Sequence, residues 1–305
     1  MVSGRVMHGG PVARPLVGTW VVLHQVAMTG GGHPIDSIRT DARGAFTFTI
    51  VRPDTTAMYV ASSRYAGIAY FSEPLTGAGR SGTTLRPISV YDTSSTGPAV
   101  RLVRRLVTIA QRSQDGARNV LELLELENPA WTTRIAPDTL RPTWTGAIPA
   151  RAIQFQVGQG DISAQAMGLR GDSLAVFGPI PPGERKQLSY GYVLPADIPG
   201  LSLPIDQPTG EVDLLLEDTT AVVIATQLDS LGIEGIAGRR FARYRMRDAA
   251  PGARLAIALP RAGLQAQALV PVIVALAGIV LGIGFVVALK RHPSSVVRRP
   301  NSDDG

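Results

Sequence analysis

The 305-residue chain contains no cysteine and only four histidines, and both shortages restrict its chemistry. Without cysteine it has no disulfide, thiolate nucleophile, iron–sulfur cluster or cysteine-ligated zinc site. Glycine and proline are instead abundant, at 33 and 23 residues. Because both residues disfavour helix interiors and suit turns, this composition predicts a mainly β protein of short strands. The length predicts two or three domains.

The residues that remain do not form a recognisable catalytic or metal-binding motif. His8, His24 and His33 fall within one short region, but they lack the close spacing of zinc ligands. His8 and His33 also lie in glycine-rich segments that predict loops. The serines lack the G-x-S-x-G context of a hydrolase nucleophile. We therefore predict a non-enzymatic protein with no cofactor and no metal, and we do not expect a small-molecule ligand.

A glutamate-rich run at residues 119–128, NVLELLELEN, is ambiguous between helix and strand. The runs at residues 152–157 and 187–194 alternate apolar and polar side chains, which is typical of strands and favours a strand here too. Glu122, Glu125 and Glu127 are then predicted to be solvated positions of that strand. This interpretation is preferred over a pair of catalytic carboxylates.

An uncharged apolar run of 22 residues, 268–289, lies near the C-terminus. At about 1.5 Å of rise per residue it is long enough to cross a hydrocarbon core of about 30 Å. We predict a transmembrane helix over residues 263–290. Gly278, Gly282 and Gly284 give this helix a face of small residues that suits packing against another membrane helix.

The tail at residues 291–305 is basic and orients the predicted span. Lys290, Arg291, Arg298 and Arg299 place the tail in the cytoplasm by the positive-inside rule. The expected location is the bacterial cytoplasmic membrane, crossed once, with the bulk of the chain periplasmic or extracellular. The first residues show no signal-peptide h-region. A longer precursor, export through the C-terminal helix and a cytosolic tail-anchored arrangement therefore stay open as alternatives.

Residues 1–86 predict a small β-sandwich domain. In the segment RTDARGAFTFTI, residues 39–50, a turn at 41–44 precedes an alternation of apolar residues with threonine, typical of a half-buried strand. The opening SGRV, the segment PVARPLVGTWVV and the segment TDARGAF resemble the carboxypeptidase regulatory-like domains. That resemblance implies a transthyretin-like β-sandwich that is non-catalytic and stabilises or presents a neighbouring domain.

Residues 87–262 predict a second β-rich region, and a division near residue 200 into two sandwich modules is left open. The segments at residues 121–128, 149–152, 181–195 and 251–255 resemble those of bacterial membrane-tethered β-sandwich ectodomains. That resemblance implies a last strand leading directly into a single membrane helix. The predicted fold is therefore two or three β-sandwich modules followed by one transmembrane helix.

The net charge of +6 does not predict a nucleic-acid partner, because the arginines are dispersed and no nucleic-acid fold signature accompanies them. One local group of five arginines, at residues 239–247, precedes the predicted membrane span by some 20–30 residues. A solvated strand edge explains it most simply, and contact with anionic lipid headgroups or an acidic neighbouring subunit is the sharper alternative. This arginine row consists of Arg239, Arg240, Arg243, Arg245 and Arg247.

Together these features predict a membrane-anchored scaffold or accessory subunit that stabilises a larger membrane protein complex. Its partners would be membrane lipids and other membrane subunits. A respiratory or photosynthetic complex is one candidate for this larger complex, although the sequence does not single it out. The alternative is an envelope ectodomain for sensing or adhesion that binds carbohydrate or peptide. Its candidate aromatics are Trp20, Trp131, Trp144, Tyr190 and Tyr192, although core packing explains most of them.

Overall fold

The computed structural model of the protein describes residues 1–27, 31–51, 53–76, 83–224 and 227–259. These residues are mainly β, as predicted, with one short 3-10 turn at Ala164–Ala166. None of their helical segments is long and apolar enough to cross a membrane. The predicted span lies outside the described residues, and so do the side chains assigned to it and to its tail: Gly278, Gly282, Gly284, Lys290, Arg291, Arg298 and Arg299.

The N-terminal region is a sandwich of two sheets around one apolar core. Its strands are β1 Val2–His8, β2 Arg14–Pro15, β3 Trp20–Val26, β4 Gly32–Arg39, β5 Ala45–Phe48, β6 Met58–Tyr65, β7 Ile68–Phe71, β8 Leu75–Thr76, β9 Thr83–Thr84 and β10 Ile88–Val90. One sheet has the order β4-β3-β6-β7, with β8 beside β6. In the other, β1 pairs with β2, β5, β9 and β10. Both sheets contribute buried side chains, including Val6, Phe48, Val21 and Tyr59.

The turn before β5 forms as its sequence predicts. Asp41 Oδ1 accepts hydrogen bonds from the backbone N–H groups of Arg43 and Ala45, each at 2.8 Å. These two bonds lower the pKa of Asp41. Gly44 has φ +70°, and a Cβ there would lie 2.6 Å from the carbonyl oxygen of Val6. Only glycine fits this close approach.

The second region is built on one large sheet. Its strands are β11 Thr93–Ser94, β12 Arg101–Ile109, β13 Arg118–Glu127, β14 Thr133–Arg134, β15 Trp144–Ala147, β16 Ile153–Val157, β17 Met167–Arg170, β18 Ser173–Val176, β19 Arg185–Leu194, β20 Gly200–Pro204, β21 Thr209–Leu216, β22 Val222–Val223, β23 Asp229–Ile236, β24 Arg239–Ala249 and β25 Arg254–Ala258. The seven-stranded sheet has the order β16-β19-β13-β12-β21-β24-β23. The run at residues 119–128 lies in β13, which confirms that it is a strand.

Two smaller sheets cover one face of the seven-stranded sheet. They have the orders β15-β18-β17 and β20-β25-β22, and a single cluster of buried side chains joins all three sheets. This cluster includes Leu124, Leu174, Leu214 and Leu255. We call the face that meets this core the inner face, and the opposite one the outer face.

The structure places the boundaries of the two regions differently from the sequence prediction. Ile88 and Val90 belong to the first core, because β10 pairs with β1. The first region therefore extends past residue 86, to Val90. A division near residue 200 would cut the seven-stranded sheet, since β12, β13, β16 and β19 precede that point and β21, β23 and β24 follow it. The described residues of the second region share one core instead.

Candidate functional site

A buried ion pair lies on the inner face, between β12 and β13. Arg105 is 2% exposed and Glu122 is fully buried. The Nε of Arg105 donates to Oε2 of Glu122 at 2.7 Å. Its two terminal nitrogens donate to the carbonyl oxygens of Pro204, at 3.3 Å, and Ala147, at 3.1 Å. Arg105 thus ties β12 to β13 and to the strands that cover them.

Two tyrosines complete this inner cluster. The hydroxyl groups of Tyr190 and Tyr192, both on β19, each donate to Glu122 at 2.9 Å, one to each carboxylate oxygen. Burial, reinforced by the Glu122 charge, raises the pKa of both tyrosines well above the usual value. Burial alone would lower the pKa of Arg105, but the nearby Glu122 charge outweighs it and raises that pKa. The tyrosines are therefore neutral donors and Arg105 is a fixed cation.

The prediction that Glu122 is solvated is wrong. Side chains of a strand alternate between its two faces, so Glu122 points the same way as Val120 and Leu124. Glu125 and Glu127 point the other way and are partly exposed, as predicted. The alternation of residues 119–128 could have predicted this difference. Of its three glutamates, only Glu122 falls on the same face as the buried apolar residues of β13.

A second charge cluster lies on the outer face, around Asp213 of β21. Asp213 is fully buried, and three arginines surround it. Arg104 Nη2 donates to its Oδ2 at 2.6 Å, Arg245 Nε to its Oδ1 at 2.9 Å and Arg243 Nη2 to its Oδ1 at 3.4 Å. Glu211 lies 3.4 Å from Arg104 and 3.5 Å from Arg245. Burial raises the pKa of Asp213, but the hydrogen bonds from Arg245 and Arg104 outweigh it and leave the pKa below its usual value.

The arginine row thus divides into paired and unpaired members. Arg243 and Arg245 hold Asp213, and Arg243 also lies 2.9 Å from Glu234. Arg239 forms an ion pair with Glu217. Arg240 and Arg247 are exposed and have no carboxylate partner among the residues the structure describes. The contact of the row with lipid or partner stays a prediction, and the exposed pair is the part of the row available for it.

A polar pocket of about 390 Å³ lies at the end of the sandwich where the described chain stops. Its walls come from the loop before β13, the loop after β19 and the end of β25, through Arg112, Arg118, Asp197 and Leu259. Arg118 Nη2 donates to Asp218 at 3.1 Å, and Arg112 Nε donates to the carbonyl oxygen of Gly116 at 3.0 Å.

Each of the two regions presents an edge strand that is exposed almost throughout. All residues of β4 are exposed, and so are all those of β23 except the partly exposed Ile236. Within the described residues, β4 pairs only with β3 and β23 only with β24. Pro34 removes one backbone N–H donor from β4. In contrast, β23 has no proline and no basic residue, and it displays Leu231 and Ile233 at 52% and 55% exposure.

The aromatic candidates divide between surface and core. Trp144, Tyr190 and Tyr192 are buried, whereas Trp20 and Trp131 are 52% and 64% exposed. Arg39 covers Trp20, with its guanidinium carbon 4.7 Å from the ring centroid. Trp131 lies between β13 and β14 and is the more open of the two.

His8, His24 and His33 lie in strands, and the loop prediction for two of them is wrong. His8 ends β1 and His33 lies in β4, because both segments pair with neighbouring strands. His8 Nε2 lies 3.3 Å from Asp92, and His24 Nε2 lies 2.8 Å from Ser62 Oγ. The described part of the chain has no group of three residues that could hold a metal ion.

Comparison with known proteins adds little to this geometry. No protein-family model matches the chain, and no curated protein matches it either. Among solved structures, it is similar to a candidate nutrient binding protein from Legionella pneumophila, at 12% identity and a TM-score of 0.30. That match covers 55% of this chain and 70% of the other. So low a TM-score supports no conclusion about fold or function.

Proposed function

We propose that the protein is a non-enzymatic, membrane-anchored scaffold or accessory subunit of a larger membrane protein complex. The observation that carries the proposal is the exposed edge strand β23, which ends the seven-stranded sheet. The predicted span at residues 263–290 would supply the anchor, with the two β regions outside the cytoplasmic membrane and the tail inside.

The buried polar groups support a structural rather than a chemical role. Glu122 receives three donors, and both of its oxygens are used. Asp213 likewise receives three arginines. A general acid, base or nucleophile must reach its substrate, and neither carboxylate has exposed surface. These side chains join neighbouring strands through hydrogen bonds and ion pairs.

The edge of β23 suits strand addition by a partner. An unpaired strand edge offers a row of backbone N–H and C=O groups, and a partner strand binds by completing those hydrogen bonds. Leu231 and Ile233 add apolar surface beside that edge. Natural edges are protected by proline, charged side chains or a β-bulge. β23 has no proline and no lysine, and beyond its bulge between Ser230 and Gly232 the segment Gly232–Ile236 pairs with β24 without interruption.

Purification of the full-length protein in mild detergent tests this proposal. We expect a stoichiometric partner to co-migrate with the native protein and to be lost from Ile233→Lys, which places a charge on the edge. The matched control is Val12→Lys, another exposed apolar position at 81% exposure in the first region. Recovery of the native protein as a lone monomer would contradict the scaffold role.

Protease treatment of cells tests the proposed location. The β regions, ending near Leu259, should be protected in intact cells and digested in spheroplasts, because the outer membrane excludes the protease and the periplasm is then opened. Protection in both preparations would place these regions in the cytosol and overturn the exported arrangement.

A ligand-binding ectodomain is the second candidate, and the exposed ring of Trp131 favours it. An open indole face can stack on a sugar ring or a peptide side chain. Titration with oligosaccharides, monitored by tryptophan fluorescence in the native protein and in Trp131→Phe, tests this second candidate. No change in fluorescence at saturating ligand would exclude carbohydrate binding at this position.

A further inference from the structure

The described chain leaves the second region at one defined end of the sandwich. Leu259 follows β25 and donates its backbone N–H to Pro199 at 3.0 Å. Residue pairing between strands places the ends of β12, β19 and β21 here, together with the starts of β13 and β24. We call this the exit end. The hairpin tip between β23 and β24 lies here too, formed by Ala237 and Gly238, both with positive φ.

The sequence between the exit end and the uncharged apolar run at residues 268–289 is short. Residues 260–267 number eight, and a fully extended chain covers at most about 3.6 Å per residue, or about 29 Å. The ten-residue strands β13 and β19 are themselves about 30 Å long. To place the opposite end of the sandwich on the bilayer, the linker would have to stretch along the whole sandwich. The exit end reaches the bilayer without that constraint.

The charges of the exit end are partly neutralised. Ion pairs join Arg118 to Asp218, Arg151 to Asp197 and Arg239 to Glu217. Two further arginines at this end, Arg112 and Arg240, and one carboxylate, Asp115, have no ion-pair partner among the described residues, so the unpaired charge here is net positive. Both arginines lie in the loops or hairpin of the exit end, so they can meet anionic lipid headgroups.

An exposed apolar side chain accompanies these arginines. Val222 pairs with Ala258, the last residue of β25, and is 62% exposed.

Arg247, by contrast, lies eight residues along β24 from Arg239, about 26 Å away. That separation exceeds the Debye length of about 8 Å at physiological ionic strength. The arginine row therefore runs away from the bilayer, and its two ends meet different surroundings.

We propose that the exit end is a lipid-facing surface that lies against anionic headgroups, with Arg112 and Arg240 at headgroup level. This inference rests on the membrane anchoring in the proposed function. It also sharpens the predicted role of the arginine row, because Arg240 would contact lipid and Arg247 would not.

Labelling of single introduced cysteines tests this surface, and the absence of native cysteine leaves no background. The full chain is reconstituted into vesicles of phosphatidylcholine with phosphatidylglycerol, with a quencher on the lipid headgroup. A fluorophore on Val222→Cys should be quenched several-fold more than one on Glu184→Cys. Glu184 is the matched exposed control, next to the start of β19 at the opposite end. Equal quenching, or stronger quenching at Glu184→Cys, would overturn the proposal.

Two further measurements separate the role of Arg112 and Arg240 from that of the membrane anchor. In Arg112→Gln/Arg240→Gln, the quenching at Val222→Cys should lose most of its dependence on phosphatidylglycerol, whereas Arg247→Gln should leave it unchanged. An unchanged dependence in the double variant would overturn the role of the two arginines. Release of the full chain from vesicles by alkaline carbonate would instead overturn the anchoring itself, and with it the proposed function.

Discussion

The two faces of the seven-stranded sheet each carry a charge cluster, and the clusters satisfy their charges differently. On the inner face, Arg105 and Glu122 form one ion pair inside an apolar core. On the outer face, Asp213 shares three arginines, which also have Glu211 and Glu234 as partners. Among the described residues, Arg105 therefore has no second carboxylate partner, whereas the outer arginines have two carboxylates besides Asp213.

The adjacent residues Arg104 and Arg105 show how this difference arises. They are neighbours in sequence but belong to opposite faces, because successive side chains of a strand alternate. Arg104 meets Asp213 on the outer face, at 27% side-chain exposure, and Arg105 meets Glu122 on the inner face, at 2%. The same residue type thus takes part in a partly hydrated network in one case and in a dry pair in the other.

The largest effect is expected from Glu122→Gln, which leaves the Arg105 cation buried without a countercharge. Loss of one partner of a buried ion pair costs about 3–5 kcal/mol in free energy of unfolding. Denaturant titration of the full chain in detergent, followed by tryptophan fluorescence, measures it. The control is Glu125→Gln, on the other face of β13, where the cost should stay below about 1 kcal/mol. Equal costs at the two positions would contradict the comparison.

Replacement of the whole inner cluster by apolar side chains tests whether the buried charges themselves stabilise the fold. Arg105→Met with Glu122→Leu, Tyr190→Phe and Tyr192→Phe removes every charge and donor of the inner cluster together. Replacement of a buried ion pair by packed apolar side chains is often neutral or stabilising, so this variant should recover most of the stability that Glu122→Gln loses. A fall as large as that of Glu122→Gln would show that the cluster stabilises beyond its packing.

Asp213→Asn should have a smaller effect, of about 2 kcal/mol. It removes the shared carboxylate, and hydrogen bonds to charged groups are worth about 1.5–3 kcal/mol each. Glu211 and Glu234 still face the three arginines, which limits the loss. The same denaturant titration measures it. A cost above that of Glu122→Gln would show that the outer cluster, and not the inner one, is the more critical.

Acid pH should weaken the outer cluster in a defined direction. The pKa of Asp213 in the folded protein lies below its unfolded value, which is about 3.9. Its contribution is therefore complete above that unfolded value and is lost as the pH falls through the folded pKa. The stability difference between the native protein and Asp213→Asn should shrink as the pH is lowered from neutral to about 3. A constant difference over this range would contradict the assignment.

The smallest effect is expected at a surface ion pair. Arg151 and Asp197 lie 2.6 Å apart, but both side chains are more than 60% exposed. Exposed pairs contribute about 0.2–1 kcal/mol at most. Arg151→Ala should therefore change the unfolding free energy by no more than about 0.5 kcal/mol. A larger loss would show that the short distance within the pair determines its contribution more than burial does, and this would contradict the comparison of the two faces.

Much of the fold follows from local sequence pattern, and the candidate sites follow from it less. The alternation of Phe46 and Phe48 with threonine predicts β5, and the run at residues 119–128 predicts β13. The alternation of that run groups Glu122 with Val120 and Leu124, but the local pattern does not show that Arg105, Tyr190 and Tyr192 meet Glu122 in the core. The parallel pairing of β12 with β21 is also hidden, since it joins Arg104 to Asp213 across 109 residues.

The sequence by itself determined the chemistry that is excluded and the local elements that form. The absence of cysteine removes thiol chemistry wherever the chain folds, the glycines and prolines set local backbone preferences, and the period of two in the strands reflects where apolar side chains recur; each can be assessed from the sequence without knowing the fold. Only the tertiary structure decided which face of each strand is buried and which distant charge meets which. Packing of the smaller sheets onto one face of the large sheet made Glu122 a core residue, and it left Glu125 of the same strand at the surface.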